Sequence, residues 1–130
     1  MITNRPSRLW NSTIQMLPPD WWGWPPISVA RLVAHCSVSP EPYGRVIVEA
    51  MMARRPVIAS AHGASAELLG GDYPFLVPPG DPAALAEAVN RALTTSPLEM
   101  ARLIAHNYEQ ACARFSTDTM FAQIDRALAA

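Results

Sequence analysis

Two short apolar runs, Arg31-Leu-Val-Ala-His-Cys36 and Pro56-Val-Ile-Ala-Ser60, stand on either side of a helix-like stretch, and that alternation limits the possible folds most severely. Each run has the length and the Val/Ile content of a buried strand. Between them, Gly44 to Arg54 carries Val46, Ile47, Val48, Ala50, Met51, Met52 and Ala53, enough for a helix that is apolar nearly all round. Strand, helix and strand in succession make a βαβ unit, because two parallel strands need a crossover between them. A right-handed crossover sets the loop after the first strand, and the helix N-terminus, at the carboxyl edge of the sheet, where open α/β folds take their ligands. A third strand is expected at 74–77, beside those at 31–38 and 56–60. The expected fold class is therefore α/β: half of a Rossmann-like doubly wound parallel sheet, about three strands, followed by C-terminal helices.

The loop and helix carry two acids, Glu41 and Glu49, eight positions apart, with Pro42-Tyr43-Gly44 directly after the first. Amides of the first helical turn, near Tyr43 to Val46, have no intrahelical partners and sit at the positive end of the helix dipole, which suits a diphosphate. Carboxylates do not bind phosphate, but they accept hydrogen bonds from hydroxyls well. Glu41, in the loop, is placed to reach a polyol such as a hexose. Glu49, one to two turns into the helix, is placed for a vicinal diol such as that of ribose. Hydroxyls, diphosphate and hydroxyls in series describe a nucleotide-diphospho-sugar. A plainer reading stands beside this one: Arg45 and Glu49 are i,i+4 neighbours and form a surface ion pair, with Glu41 a solvated loop acid. An apolar, buried helix argues against it, since Glu49 then needs a partner.

From His35-Cys36-Ser37 through Ser60 the sequence resembles the nucleotide-sugar half of the retaining GT-B glycosyltransferases. Their motif is an acid followed by Pro, an aromatic and Gly, an apolar helix with a second acid eight residues on, then Arg-Pro-Val-Ile-Ala, here Arg55 to Ala59. The likeness continues through His62-Gly63-Ala64-Ser65-Ala66-Glu67-Leu68 and Phe75 to Pro82, and spans roughly Val33 to Ala130. It implies that Glu41 contacts the donor sugar and is the candidate catalytic residue. It further implies that the backbone of Pro42, Tyr43, Gly44 and Arg45 holds sugar and phosphate, that Glu49 holds the ribose, and that Gly63 lines the loop beside the donor. Ala64 stands where the family has a second glycine.

Other family parts have no counterpart in the sequence. The family reacts in a cleft between two domains, and 130 residues do not make two at ~100–200 residues per domain. The family also sets an Arg and a Lys on the diphosphate, upstream of the acids. This chain has no lysine, and only Arg5, Arg8 and Arg31 precede Glu41. The resemblance thus implies a donor-binding part that works with a separate acceptor-domain protein or as a homodimer, with metal-independent leaving-group stabilisation and no cofactor. Two alternatives remain open: a non-catalytic remnant or interaction module that keeps the fold, and a generic flavodoxin-like nucleotide binder, which leaves the second acid unexplained.

Eleven acids against ten arginines give a net charge of -1, which argues against a nucleic-acid partner held by phosphate contacts. No stretch reaches the ~20 apolar residues of a membrane span, and no signal-peptide core is visible, so a cytoplasmic location is expected. His35, His62 and His106 are scattered and no cluster suits a metal. Cys36 and Cys112 are expected as reduced core residues. Residues 1–30 read as a divergent Pro/Trp-rich leader, and 31–130 as the partial donor-binding domain. All four tryptophans and five of the thirteen prolines precede Ile27, and neither helical nor strand periodicity persists there. That leader is expected to blanket the open edge of the first strand.

Downstream, a short helix around Ala64 to Leu69 closes at Gly70-Gly71. Asp81 caps a helix that has Pro82 in its first turn, and Ser96-Pro97-Leu98-Glu99 is a capping box for a helix to about Arg114. Ser116 caps a last helix with Phe121, Ile124 and Leu128 on one stripe. These stripes are expected to cover the sheet, with Met100, Tyr108 and Phe115 in the core.

Overall fold

The computed structural model describes residues 27–129. The expected strand-edge blanket and most of the Pro/Trp-rich leader (1–26) lie outside the described residues. Three strands, β1 (Val33–His35), β2 (Val57–Ser60) and β3 (Leu76–Val77), form one sheet in the order β1-β2-β3. Both pairings are parallel, with Val33 opposite Val57 and Ala59 opposite Leu76. The helices are α1 (Arg45–Met52), α2 (Ala64–Leu69), α3 (Pro82–Thr94), α4 (Pro97–Phe115) and α5 (Thr117–Ala129). The chain is the expected α/β unit, half of a Rossmann-like parallel sheet followed by helices.

The strand sequences explain their places. All four residues of β2 are buried, as a near-continuous Val-Ile-Ala run requires of a central parallel strand. β1, at the outside of the described sheet, leaves Ala34 exposed between two half-buried neighbours. Both outer strands are shorter than the apolar runs suggest: pairing stops at His35 in β1 and begins only at Leu76 in β3. Ile27–Val29, inside the stretch expected to be irregular, makes one 3₁₀ turn.

Ile47, Ala50 and Met51 of α1 are buried and pack with Val57, Ile58 and Ala59 in the core. The helix is less enclosed than its composition suggests, because Val46 is 38% exposed. α1 ends at Met52, two residues before the expected Arg54, in a Schellman closure: the amide of Arg54 donates to the Met51 carbonyl (3.1 Å) and that of Arg55 to the Ala50 carbonyl (2.9 Å). Arg54 takes the left-handed position usually given to glycine (φ 56°). Its guanidinium lies 4.0 Å from the centre of the Tyr108 ring, a cation–π contact that offsets part of that cost. Tyr108 is accordingly half-buried under an arginine and does not belong to the core; Met100 and Phe115 do pack against it.

Caps sit where the sequence puts them. Asp81 accepts from the amide of Ala84 at 2.9 Å. Ser96 accepts from the amide of Glu99 (3.3 Å) and donates to its carboxylate (2.6 Å). Ser116 accepts from the amide of Thr119 at 3.1 Å. The expectation that the last stripe covers the sheet is overturned: α5 packs on α4, and every residue from Met120 to Ala129 is exposed. Its helical stripe is real but does not fall on the sheet.

Candidate functional site

Parallel pairing brings the loops after β1 and β2 to the same carboxyl edge, and these two loops are joined. The Ala64 amide donates to the Glu41 carbonyl at 2.9 Å, and a His62 ring nitrogen lies 3.1 Å from the Val38 carbonyl. Gly63 fits against the same residue. A Cβ there would stand 2.6 Å from the Glu41 carbonyl oxygen and 2.8 Å from its amide nitrogen, and φ +56° with ψ -142° is a conformation open in practice to glycine. Gly63 is therefore needed for the close approach that fixes the Glu41 backbone.

The Glu41 side chain is held from the other direction. Its Oε2 lies 2.8 Å from Nε2 of His35, the last residue of β1. The ring N–H does not point along the line to that oxygen, so the contact is short without being a well-aligned hydrogen bond. The His35 side chain is 16% exposed and that of Glu41 35%. This pairing differs from the expectation of three scattered histidines: His35 meets the loop acid. The sequence shows only one imidazole near the end of an otherwise apolar run, six residues before the acid.

Gly44 starts α1 in the left-handed conformation (φ 58°, ψ 33°) and offers no side-chain cap. Its carbonyl accepts from the amides of Ile47 (3.0 Å) and Val48 (3.2 Å), while the amides of Arg45 and Val46 have no carbonyl a turn earlier to meet them. Gly44 itself is buried, and Pro42, Tyr43 and Arg45 are exposed around this helix end. The amide end is thus open to an anion.

Glu49 is half-buried on α1. Burial pushes its carboxyl above the usual glutamate range, and the charge of Arg45 one turn earlier pulls it part of the way back. Arg45 and Glu49 do not close into an ion pair, although the Arg45 charge still acts on the carboxyl.

Glu41 lies in the loop that leads into α1, and Glu49 lies on α1 itself, beyond its exposed amide end. A separate cavity of about 240 Å³ at the same sheet edge includes Cys36, Ser60, Val77 and Asp81 and does not reach either acid. Cys36 corrects the expectation of a core thiol. β1 ends at His35, so Cys36 follows the strand and is exposed; Cys112 is half-buried. Among the described residues no three His, Cys, Asp or Glu gather as for a metal ion, and no helix is long and apolar enough to cross a membrane.

An open parallel α/β unit with joined loops at its carboxyl edge is the class defined by the fold and these loops. The family model described as "Glycosyl transferases group 1" matches residues 25–95, more than half of the chain, and the chain belongs to that family. Comparison with curated proteins found no match. Among solved structures it is similar to Anabaena Alr3699/HepE in complex with UDP, at 36% identity over 79% of this chain with a TM-score of 0.73. The same protein with UDP-glucose matches at 36% identity, 79% coverage and TM-score 0.71, and with UDP and glucose at 35%, 80% and 0.73. In each case this chain spans 28% of the length of the Anabaena chain.

Proposed function

We propose that this chain is the nucleotide-sugar-binding part of a hexosyltransferase, corresponding to the C-terminal, donor-side portion of a retaining GT-B enzyme. The observation that supports it most is the order along the chain: Glu41 held at the strand edge, then the uncapped amide end of α1, then a half-buried Glu49 with no closed ion pair among the described residues. Glu41 takes hydroxyls of the sugar, the backbone from Pro42 to Arg45 takes sugar and diphosphate, and Glu49 takes the ribose diol. Gly63 keeps the second loop against Glu41. The solved relatives hold UDP and UDP-glucose, which supports a uridine nucleotide as the first donor to try.

In this reading residues 31–130 form the donor-binding domain, residues 1–30 a separate leader, and the other wall of the cleft comes from a separate acceptor-domain protein or a second copy. In the metal-independent chemistry that the family resemblance implies, charge on the leaving diphosphate is stabilised by the helix amides, with retention at the anomeric carbon. A cytoplasmic location goes with a donor made inside the cell.

Calorimetric titration of the full chain with UDP and UDP-glucose tests this. Glu49→Gln is expected to weaken both ligands by ~1–3 kcal/mol, as for one charge-assisted hydrogen bond. Glu41→Gln is expected to weaken UDP-glucose and leave UDP nearly unchanged. Equal losses for both ligands in both variants would sink the division of roles. A wild type that binds neither ligand at millimolar concentration would favour a remnant that keeps the fold alone.

A further inference from the structure

Glu41 stands in a loop, and a glutamate in a loop has three side-chain torsions to lose when it grips a sugar. The fold removes much of that freedom beforehand. The Gly63–Ala64 turn holds the Glu41 backbone, and His35 reaches its carboxylate from the end of β1. An imidazole 2.8 Å from a carboxylate oxygen is attracted only if Nε2 carries the proton, because a bare ring lone pair would face the negative oxygen. His35 is mostly buried at the end of a strand paired to β2, so it is the more rigid partner of the two.

On these grounds we propose that His35 is a positioning residue for Glu41: it holds Oε2 through the Nε2 proton and leaves Oε1 to accept a hydroxyl of the donor sugar. The inference rests on Glu41 being the sugar-binding acid. The 2.8 Å separation already sets the two atoms at hydrogen-bonding distance, so the bond requires only alignment of the N–H with the oxygen. An acid already held in place loses less freedom on binding than one recruited from a mobile loop. His35 acts on the sugar alone, because the diphosphate meets the amide end of α1.

The test is a double-mutant cycle on the full chain, with UDP and UDP-glucose as probes and calorimetry as the readout. His35→Ala is expected to weaken UDP-glucose by about tenfold, the scale of one lost hydrogen bond, and UDP by less than about twofold. His35→Gln, whose amide nitrogen reaches nearly the same point as Nε2, is expected to restore most of the sugar-dependent affinity. In a Glu41→Gln background, His35→Ala is expected to change nothing further. A general packing role would lower affinity for both probes, would not be rescued by Gln and would persist in the Glu41→Gln background; any of these overturns the inference. Unchanged UDP-glucose binding by His35→Ala, with wild type binding both probes, overturns it alone. A wild type that binds neither probe overturns it together with the functional reading beneath it.

Discussion

α1 and α5 both present a helical apolar stripe, yet one is built into the core and the other lies in water. Ile47, Ala50 and Met51 of α1 are at most 1% exposed, whereas Phe121, Ile124 and Leu128 of α5 are 55%, 44% and 82% exposed. The difference comes from connectivity. α1 joins two strands that pair with each other, so its apolar face has to fall on the sheet they make. α5 follows the long α4, which carries it away from the strands. A stripe therefore says that a helix has a face to bury, and the topology decides where.

The sharpest way to break the comparison is to remove the same side chain from both helices. Ile47→Ala is expected to cost about 2–5 kcal/mol, because it empties a fully enclosed site next to β2. Ile124→Ala removes the same atoms from a half-exposed position and is expected to fall within about 0.5 kcal/mol of wild type. Urea unfolding of both variants measures it. Comparable losses would mean that α5 buries its stripe in solution.

A second contrast lies within α1, between its buried face and Glu49. Burial raises the Glu49 carboxyl, so the folded molecule binds this proton more tightly than the unfolded chain does. Stability from this group is then greatest below the ordinary glutamate range and falls as pH rises through the raised folded value. Glu49→Gln cannot titrate, so its stability relative to wild type is expected to improve from about pH 4 to about pH 8. Urea midpoints for both proteins across that range decide it. A stability of Glu49→Gln relative to wild type that stays constant, or falls with rising pH, would mean the half-buried carboxylate has a charge partner that the described residues do not show. If it rises, the residue proposed for ribose is held at a cost to the fold, as binding groups often are.

These contrasts also mark what was legible in the sequence. The β-α-β order, the three-strand sheet and the caps at Asp81, Ser96 and Ser116 were readable because each is set by residues within a few positions of one another. The meeting of Glu41 with His35 was not, because it depends on how an irregular loop folds back over the end of β1. Cys36 was misplaced for a related reason: an apolar run does not announce that pairing stops one residue before its end. For Gly63 the sequence gives only a loop glycine, and the structure gives the reason glycine is required: the Glu41 backbone lies where a Cβ would go. The fate of the last stripe was unreadable, since periodicity fixes a face and not a neighbour.

The smallest effect sharpens the comparison most, because it asks what holds each helix together. α1 starts at Gly44 with no side-chain cap, so its stability comes from the buried face. α5 has the opposite balance. Its stripe is exposed, while Ser116 accepts from the Thr119 amide at 3.1 Å and its hydroxyl lies 2.8 Å from that of Thr119. Ser116→Ala should therefore cost about 0.5–2 kcal/mol of local stability. Phe121→Ala, which removes far more apolar surface, should cost less than about 0.5 kcal/mol, because much of that surface is wet in the folded molecule as well. Amide hydrogen exchange along α5 separates the two. Faster exchange from Thr119 onward in Ser116→Ala and near wild-type exchange in Phe121→Ala is the expected pattern. The reverse order would show that the stripe, and not the cap, holds α5, and that its apolar face is covered in solution by something that packs on it.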